Sequence, residues 1–457
     1  MMRKNSVLEV PNNSKLNHLY LYFSLSLVLV MILMITSTFG NIKLQASING
    51  SSGLNKNYVV VMSSTKINKY YQMKYNNKIT SGKWKIQGGK DYVTVDKKGY
   101  VKIKKNTPSM KVKVTFKDEI CTLNILKKAN AVFVGNSLTY NTLKNGKEIK
   151  NNSSLFILKR YFINTGRNVS IKYSRDYKSG YKGTILGGRT LEQAYKGKNH
   201  YSDDTTRNVV LDNKPNFIVL QEQTTKLLYN YLNKKYSNST NQKEIARKNA
   251  ISKSLKKLSF DGSKGYSYTN ESNDVWTVYE SYENWINYIY NVRNKNDIIT
   301  VVYIPPAPIA NEINSSLKLA KKYYFTDSEI TKFQKEAYKE LVNSITAYIN
   351  KHSNIKDKVL FAPVVESWYD IMNKKVLSRS QLYSNDNRHP APYGQYVIAS
   401  SLFYTISGAP KISVAKNVFS LKLWENDHNI KIKFTFNRDK INKIRQITHR
   451  DAINYNH

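Results

Sequence analysis

Hydrophobic and polar positions divide the chain into stretches of different period. Residues 19–35 are an almost unbroken apolar run, preceded by Arg3, Lys4 and Lys15. This is the pattern of an export signal. Its length matches a minimal span of roughly 17–20 residues, so a cleaved signal and a retained anchor both fit. The positive-inside rule places everything after it outside the cytoplasm. Between 41 and about 128, short alternating runs occur at 58–62, 70–75, 83–87, 92–95, 100–103, 111–116 and 121–126, separated by Gly, Asn and Lys turns. Strands this short and evenly spaced, without helical periodicity, predict a small all-β sandwich.

From 129 onward, apolar strands alternate with amphipathic helices. Strands are expected at 132–134, 169–173, 216–220, 298–304 and 359–363, with helices at 153–166, 275–292 (Asp274 as N-cap), 327–352 and 394–406. All-apolar strands joined by helical crossovers specify a parallel sheet covered on both faces. Residues 225–274 are rich in Lys, Asn and Ser and read as an insertion or lid outside the core. The basic stretch 411–457 shows some β alternation at 419–423 and 430–436, which suits an added edge hairpin or a partly ordered tail.

Composition changes this picture modestly. At 457 residues, two or three domains are expected. The 72 Lys and Arg against 32 Asp and Glu give a formal charge of +40. These residues are spread along the chain, whereas a nucleic-acid binder concentrates them in a patch or arm. Nucleic acid is therefore not an expected partner; anionic wall polymers or lipid head groups are. Cys121 is the single cysteine, which excludes an intramolecular disulfide and a cysteine-based metal site.

Candidate chemistry lies at two places. The run 131–139, AVFVGNSLT, reads as a buried strand ending in a sharp turn that Gly135 permits. This places Ser137 at the carboxyl end of the strand, where open α/β sheets keep their chemistry. Far downstream, Asp386 precedes His389 by three residues, just before the helix at 394–406. That spacing lets the carboxylate bond one imidazole nitrogen and leaves the other for a nucleophile. His200 and His352, the other histidines of the α/β region, have no acid so placed.

Together these segments resemble the SGNH (GDSL-type) hydrolase family. Gly135-Asn136-Ser137-Leu138-Thr139 is similar to its first block, and Gly187-Gly188-Arg189-Thr190-Leu191-Glu192-Gln193 to the glycine block after the second strand. Gln221-Glu222-Gln223-Thr224 stands at the third, while Ala362-Pro363-Val364-Val365-Glu366-Ser367-Trp368 and His389-Pro390-x-Pro392-x-Gly394 complete the likeness over about 130–410. The segment from Trp84 to Ile103 resembles bacterial Ig-like domains, in which the Trp fills the core and an Asp-x-x-Gly makes a hairpin.

The resemblance implies a flavodoxin-like, three-layer α/β sandwich with a parallel sheet at 129–410. An Ig-like β-sandwich at 41–128, a signal or anchor at 1–40 and a basic extension at 411–457 complete the expected organisation. It implies acyl transfer by Ser137, His389 and Asp386, with no metal or cofactor. The expected product is a secreted or surface-anchored esterase removing acyl groups, O-acetyl foremost, from carbohydrate or cell-wall polymer. Two departures stand out. Asn136 replaces the usual Asp, and the third block lacks the Asn that donates to the oxyanion. Gly188 and either Gln221 or Gln223 are the expected donors. A non-catalytic surface protein binding glycans or polyanions through a degenerate SGNH domain is the alternative, and an acyltransferase a third.

Overall fold

The apolar strands of the second half assemble as their pattern dictates. The computed structural model describes residues 45–47, 58–66, 69–74, 80–117, 119–136, 138–139, 153–173, 189–196, 206–259, 276–352, 355, 357–408, 420–424 and 431–456. The apolar run at 19–35 lies outside these. Among the described residues, no helix is long and apolar enough to cross a membrane.

Eight strands precede the α/β region: β1 (Gln45–Ser47), β2 (Tyr58–Met62), β3 (Lys69–Lys74), β4 (Trp84–Gln87), β5 (Val93–Val95), β6 (Tyr100–Ile103), β7 (Met110–Phe116) and β8 (Glu119–Leu126). They form two four-stranded sheets, β1-β3-β6-β5 and β2-β8-β7-β4. Met73, Val101 and Ile103 from one sheet share a core with Val59, Val114 and Leu123 from the other. Trp84 lies in this core with its ring 4.4 Å from that of Phe116. Gly99, at φ +77°, lets the chain pass against Trp84, where a Cβ would come within 2.7 Å of the indole. Asp96 shapes the same hairpin by accepting from the N–H groups of Lys98 and Tyr100, both at 2.8 Å.

A single residue, Lys127, separates β8 from β9 (Lys128–Val134), the first strand of the parallel sheet. It is followed by α1 (Ser154–Asn164), β10 (Asn168–Lys172), α2 (Leu191–Lys196), α3 (Thr206–Asp212), β11 (Phe217–Gln221), α4 (Thr224–Lys235), α5 (Gln242–Ser259) and α6 (Val278–Asn287). Then come β12 (Ile299–Tyr303), α7 (Ala310–Leu317), α8 (Asp327–Asn350), β13 (Val359–Ala362), α9 (Val364–Asn373), α10 (Arg379–Leu382), α11 (Pro392–Ser407), β14 (Ser420–Trp424), β15 (Lys431–Thr435) and α12 (Arg438–Asn456). The sheet order is β10-β9-β11-β12-β13, every pair parallel. In the sheet's own chain order this is 2-1-3-4-5, the doubly wound order of flavodoxin-like sheets, with its switch point beside β9. Every residue of β11 and β12 is buried, so both faces are covered. Helices α1, α11 and α12 pack together in one group, and α2, α4, α6 and α8 in another.

Three expectations are corrected. Residues 224–259 are not a polar insertion: they form α4 and α5, whose Leu228, Leu232, Tyr236 and Ile251 build a second apolar cluster with Ile313, Phe325 and Phe333. The helix expected from Asp274 starts later. Asp274 lies outside the described residues, and Thr277 caps α6 in a capping box with Glu280. The basic C-terminal stretch is neither an edge hairpin nor a loose tail. β14 and β15 pair only with each other, and α12 buries Ile441, Ile444, Ile447 and Ile453 in the main core.

Candidate active site

The carboxyl ends of β9, β11 and β12 carry the candidate residues. Beyond β9, Gly135 and Asn136 enter a turn closed by the N–H of Thr139 on the carbonyl of Asn136 at 3.1 Å. Ser137 lies within this turn but outside the described residues, as do Gly187 and Gly188. Its neighbours Asn136, Leu138 and Thr139 are buried. Asn136 Oδ1 accepts from the N–H of Leu138 at 3.1 Å, while its Nδ2 donates to the carbonyl of Arg189 at 3.1 Å. The first block is thereby fastened to the segment following the glycine pair.

Gln221, the last residue of β11, reaches across to the same turn. Its Oε1 accepts from the N–H of Asn136 and from Thr139 Oγ1, both at 2.8 Å. Its Nε2 donates to Asn136 Oδ1 at 3.1 Å and to the carbonyl of Glu222 at 2.7 Å. A backbone N–H on one side and a backbone carbonyl on the other fix which end of the amide is which. Gln221 therefore has both amide hydrogens engaged within the protein, and the oxyanion donation expected of it is corrected on that ground. Gly135 makes this approach feasible, because a Cβ there would stand 2.4 Å from Gln221 Oε1.

Glu222 points elsewhere. Its Oε1 accepts from the N–H of Leu191 at 3.1 Å and of Gln223 at 2.7 Å, so one carboxyl links the second and third blocks. Complete burial pushes this carboxyl above its ordinary range, against the opposing pull of Lys226. Beside it lies a buried group in which Glu192 accepts from Lys196 Nζ at 3.0 Å and Lys226 Nζ at 2.9 Å. Gln223 opens α4 without a side-chain cap bond, and its Oε1 is buried with no hydrogen-bond partner.

Asp386 and His389 meet as their spacing predicts. Asp386 Oδ2 lies 2.5 Å from His389 Nδ1. The other carboxylate oxygen accepts from the N–H of Arg388 at 3.0 Å, the N–H of His389 at 2.9 Å and Ser384 Oγ at 2.6 Å. Partial burial disfavours the charged carboxylate, yet the bonds from His389, Ser384 and the two backbone N–H groups outweigh it and hold Asp386 well below the usual carboxylate range. Asn387 takes the left-handed φ of +54° that closes this loop, a conformation Asn tolerates. The loop docks on the segment leaving β12: Asn387 O accepts from Ile309 N at 3.3 Å, and Tyr383 Oη donates to Ala307 O at 2.9 Å. It thus sits at the edge of the sheet from which the β9 turn also emerges. Gly394, one turn into α11, is confined by the Leu382 carbonyl, which a Cβ would meet at 2.3 Å. Among the described residues, no cluster of His, Cys, Asp and Glu is placed to hold a metal ion.

Sequence reasoning missed Ser384 and the bracing task of Gln221. Ser384 carried a faint signal in its position two residues before Asp386. Gln221 carried none, because its partners lie 82 and 85 residues away.

No family model and no curated protein matches the chain. Among solved structures, it is similar to a lipase/acylhydrolase from Enterococcus faecalis at 15% identity and a TM-score of 0.34, covering 63% of this chain and 100% of that one. An acetyl xylan esterase from Geobacillus stearothermophilus gives 11% identity and a TM-score of 0.33, over 63% of this chain and 97% of that one. An alpha/beta hydrolase from the metagenome of Lake Arreo, Spain, gives 13% and 0.33, over 61% and 95%. The functional reading rests on this chain's own residues.

Proposed function

We propose that this protein is a secreted or surface-anchored serine esterase of the SGNH type that removes acyl groups, O-acetyl foremost, from carbohydrate or cell-wall polymer. One observation carries the reading: Asp386 holds His389 Nδ1 at 2.5 Å at the carboxyl edge of a 2-1-3-4-5 sheet. That contact directs the imidazole's other nitrogen to general-base work. His389 takes the proton of the Ser137 hydroxyl as its oxygen attacks the ester carbonyl. It then returns that proton to the leaving alcohol, and a water molecule repeats the sequence on the acyl-enzyme. The backbone N–H groups of Ser137 and Gly188 receive the oxyanion together with the side-chain amide of Gln223. Gln221 leaves that set because its amide is already engaged.

The N-terminal β-sheets fit a bacterial Ig-like module, on the buried Trp84 and the Asp96–Gly99 hairpin. The apolar run at 19–35 supports export, and the +40 charge suits an anionic polymer at the cell surface. The test compares burst hydrolysis of p-nitrophenyl acetate, and acetate release from an acetylated polysaccharide, by the parent protein and by Ser137→Ala and His389→Ala. Each substitution is expected to lower kcat by about 10³-fold or more. Equal rates in all three would overturn the enzyme reading.

A further inference from the structure

The geometry points to Gln221 as a positioning residue: its side chain fixes the turn that carries Ser137 and so sets the nucleophile's attack geometry. The inference rests on the esterase reading and deepens it. Four hydrogen bonds converge on this one amide, three of them with Asn136 and Thr139, the residues flanking Ser137 at positions −1 and +2. The fourth ties the amide to the carbonyl of Glu222, so the clamp is anchored on the strand that supplies it. Gln221 is itself 1% exposed and sits at the end of β11, one of the most deeply buried strands. Gly135 completes the arrangement, since any side chain there would displace the amide. A turn held from both sides by a rigid strand keeps its hydroxyl in place without spending substrate binding energy on it. Misplacement of a reacting group by about 1 Å lowers a rate on the order of 10²-fold.

Gln221→Glu separates this role from mere structural support. The substituted carboxyl keeps an oxygen to accept from Asn136 N and Thr139 Oγ1. Its second oxygen then faces two acceptors, Asn136 Oδ1 and the Glu222 carbonyl. Only the protonated carboxyl can donate to either of them, and burial beside Glu222 favours that form. The ratio of variant to parent kcat on p-nitrophenyl acetate is therefore expected to fall by about 10²-fold at alkaline pH and to rise again on acidification, with KM unchanged within about threefold. Taking the ratio at each pH cancels the protonation of His389, which both proteins share. Gln221→Asn, one methylene shorter and neutral, is expected to lose kcat by a pH-independent factor. Circular dichroism confirms that the proteins compared are folded.

A folded Gln221→Glu protein whose kcat ratio is flat with pH and within threefold of unity overturns the inference. So does failure of both variants to fold, which would assign Gln221 to the core alone. Parent activity that survives Ser137→Ala instead overturns the esterase reading, and this inference with it.

Discussion

Asp386 carries more of the site than its exposed position suggests. Its carboxylate collects four hydrogen bonds, one of them to the imidazole it orients. Since its folded pKa is depressed, the stability it contributes is present above the unfolded value of about 3.9 and is lost only as pH falls through the folded one. Asp386→Asn is therefore expected to lower kcat by roughly 10²–10⁴-fold, because the amide can present its N–H to His389 and reverse the tautomer. The melting-temperature gap between parent and variant should persist from pH 8 down to pH 5 and close only below about pH 4. A gap that closed near pH 6 would assign the stabilisation to the imidazole instead. At this scale the sequence was legible where chemistry is local. Asp386 and His389 sit three residues apart on one turn, and their spacing announced the contact. The task of Gln221 was not legible, because it depends on which strand lies beside β9 and on a missing side chain at Gly135.

Elements were legible in proportion to their apolar contrast. The five parallel strands stood out as unbroken apolar runs, and α8 carried a capping box, Thr326 with Glu329, at its start. Helix α12 did not stand out. Its Ile441, Ile444, Ile447 and Ile453 follow a helical spacing, yet Arg, Lys, Asp and Asn fill the positions between them and lower the contrast. The same polar dilution hid α4 and α5. What α12 does for the sheet only the fold reveals. Asn456 in its last turn accepts from the N–H of Phe361 at 2.7 Å and donates to the same residue's carbonyl at 2.6 Å, standing in for a neighbouring strand at the β13 edge. Asn456→Ala leaves those two buried backbone groups without this partner, at about 1–3 kcal/mol for a group left unsatisfied. The urea midpoint should fall accordingly with the m-value unchanged. A loss below about 0.5 kcal/mol would mean that water replaces the amide and that the edge is not sealed by α12.

At the scale of the whole molecule, the β-sheets at the N-terminal end look from sequence like a separable appendage, but the contacts make them part of the α/β body. One residue links β8 to β9, and residues 44–457 cluster as one compact unit. Ser64 Oγ donates to the Thr165 carbonyl at 2.6 Å, and the N–H of Thr65 to that of Gly166 at 2.9 Å. Gly166, at φ +68°, has no side chain because a Cβ would lie 2.6 Å from Thr65 Oγ1. A shared core and a rigid junction predict that both parts unfold together. The chain supplies its own probe: Cys121 is the only thiol, fully buried in β8 of the module, and burial pushes its pKa far above the usual thiol range. Reaction of Cys121 with a thiol reagent in rising urea reports opening of the module, while far-UV circular dichroism reports loss of the helices, which lie in the α/β part. The two curves are expected to coincide in midpoint and slope. Thiol reactivity that appears at lower urea than helix loss would show the module opening on its own. The junction at Ser64, Thr65 and Gly166 would then be a contact between independent bodies, and the nucleophile strand β9 would not depend on the module ahead of it.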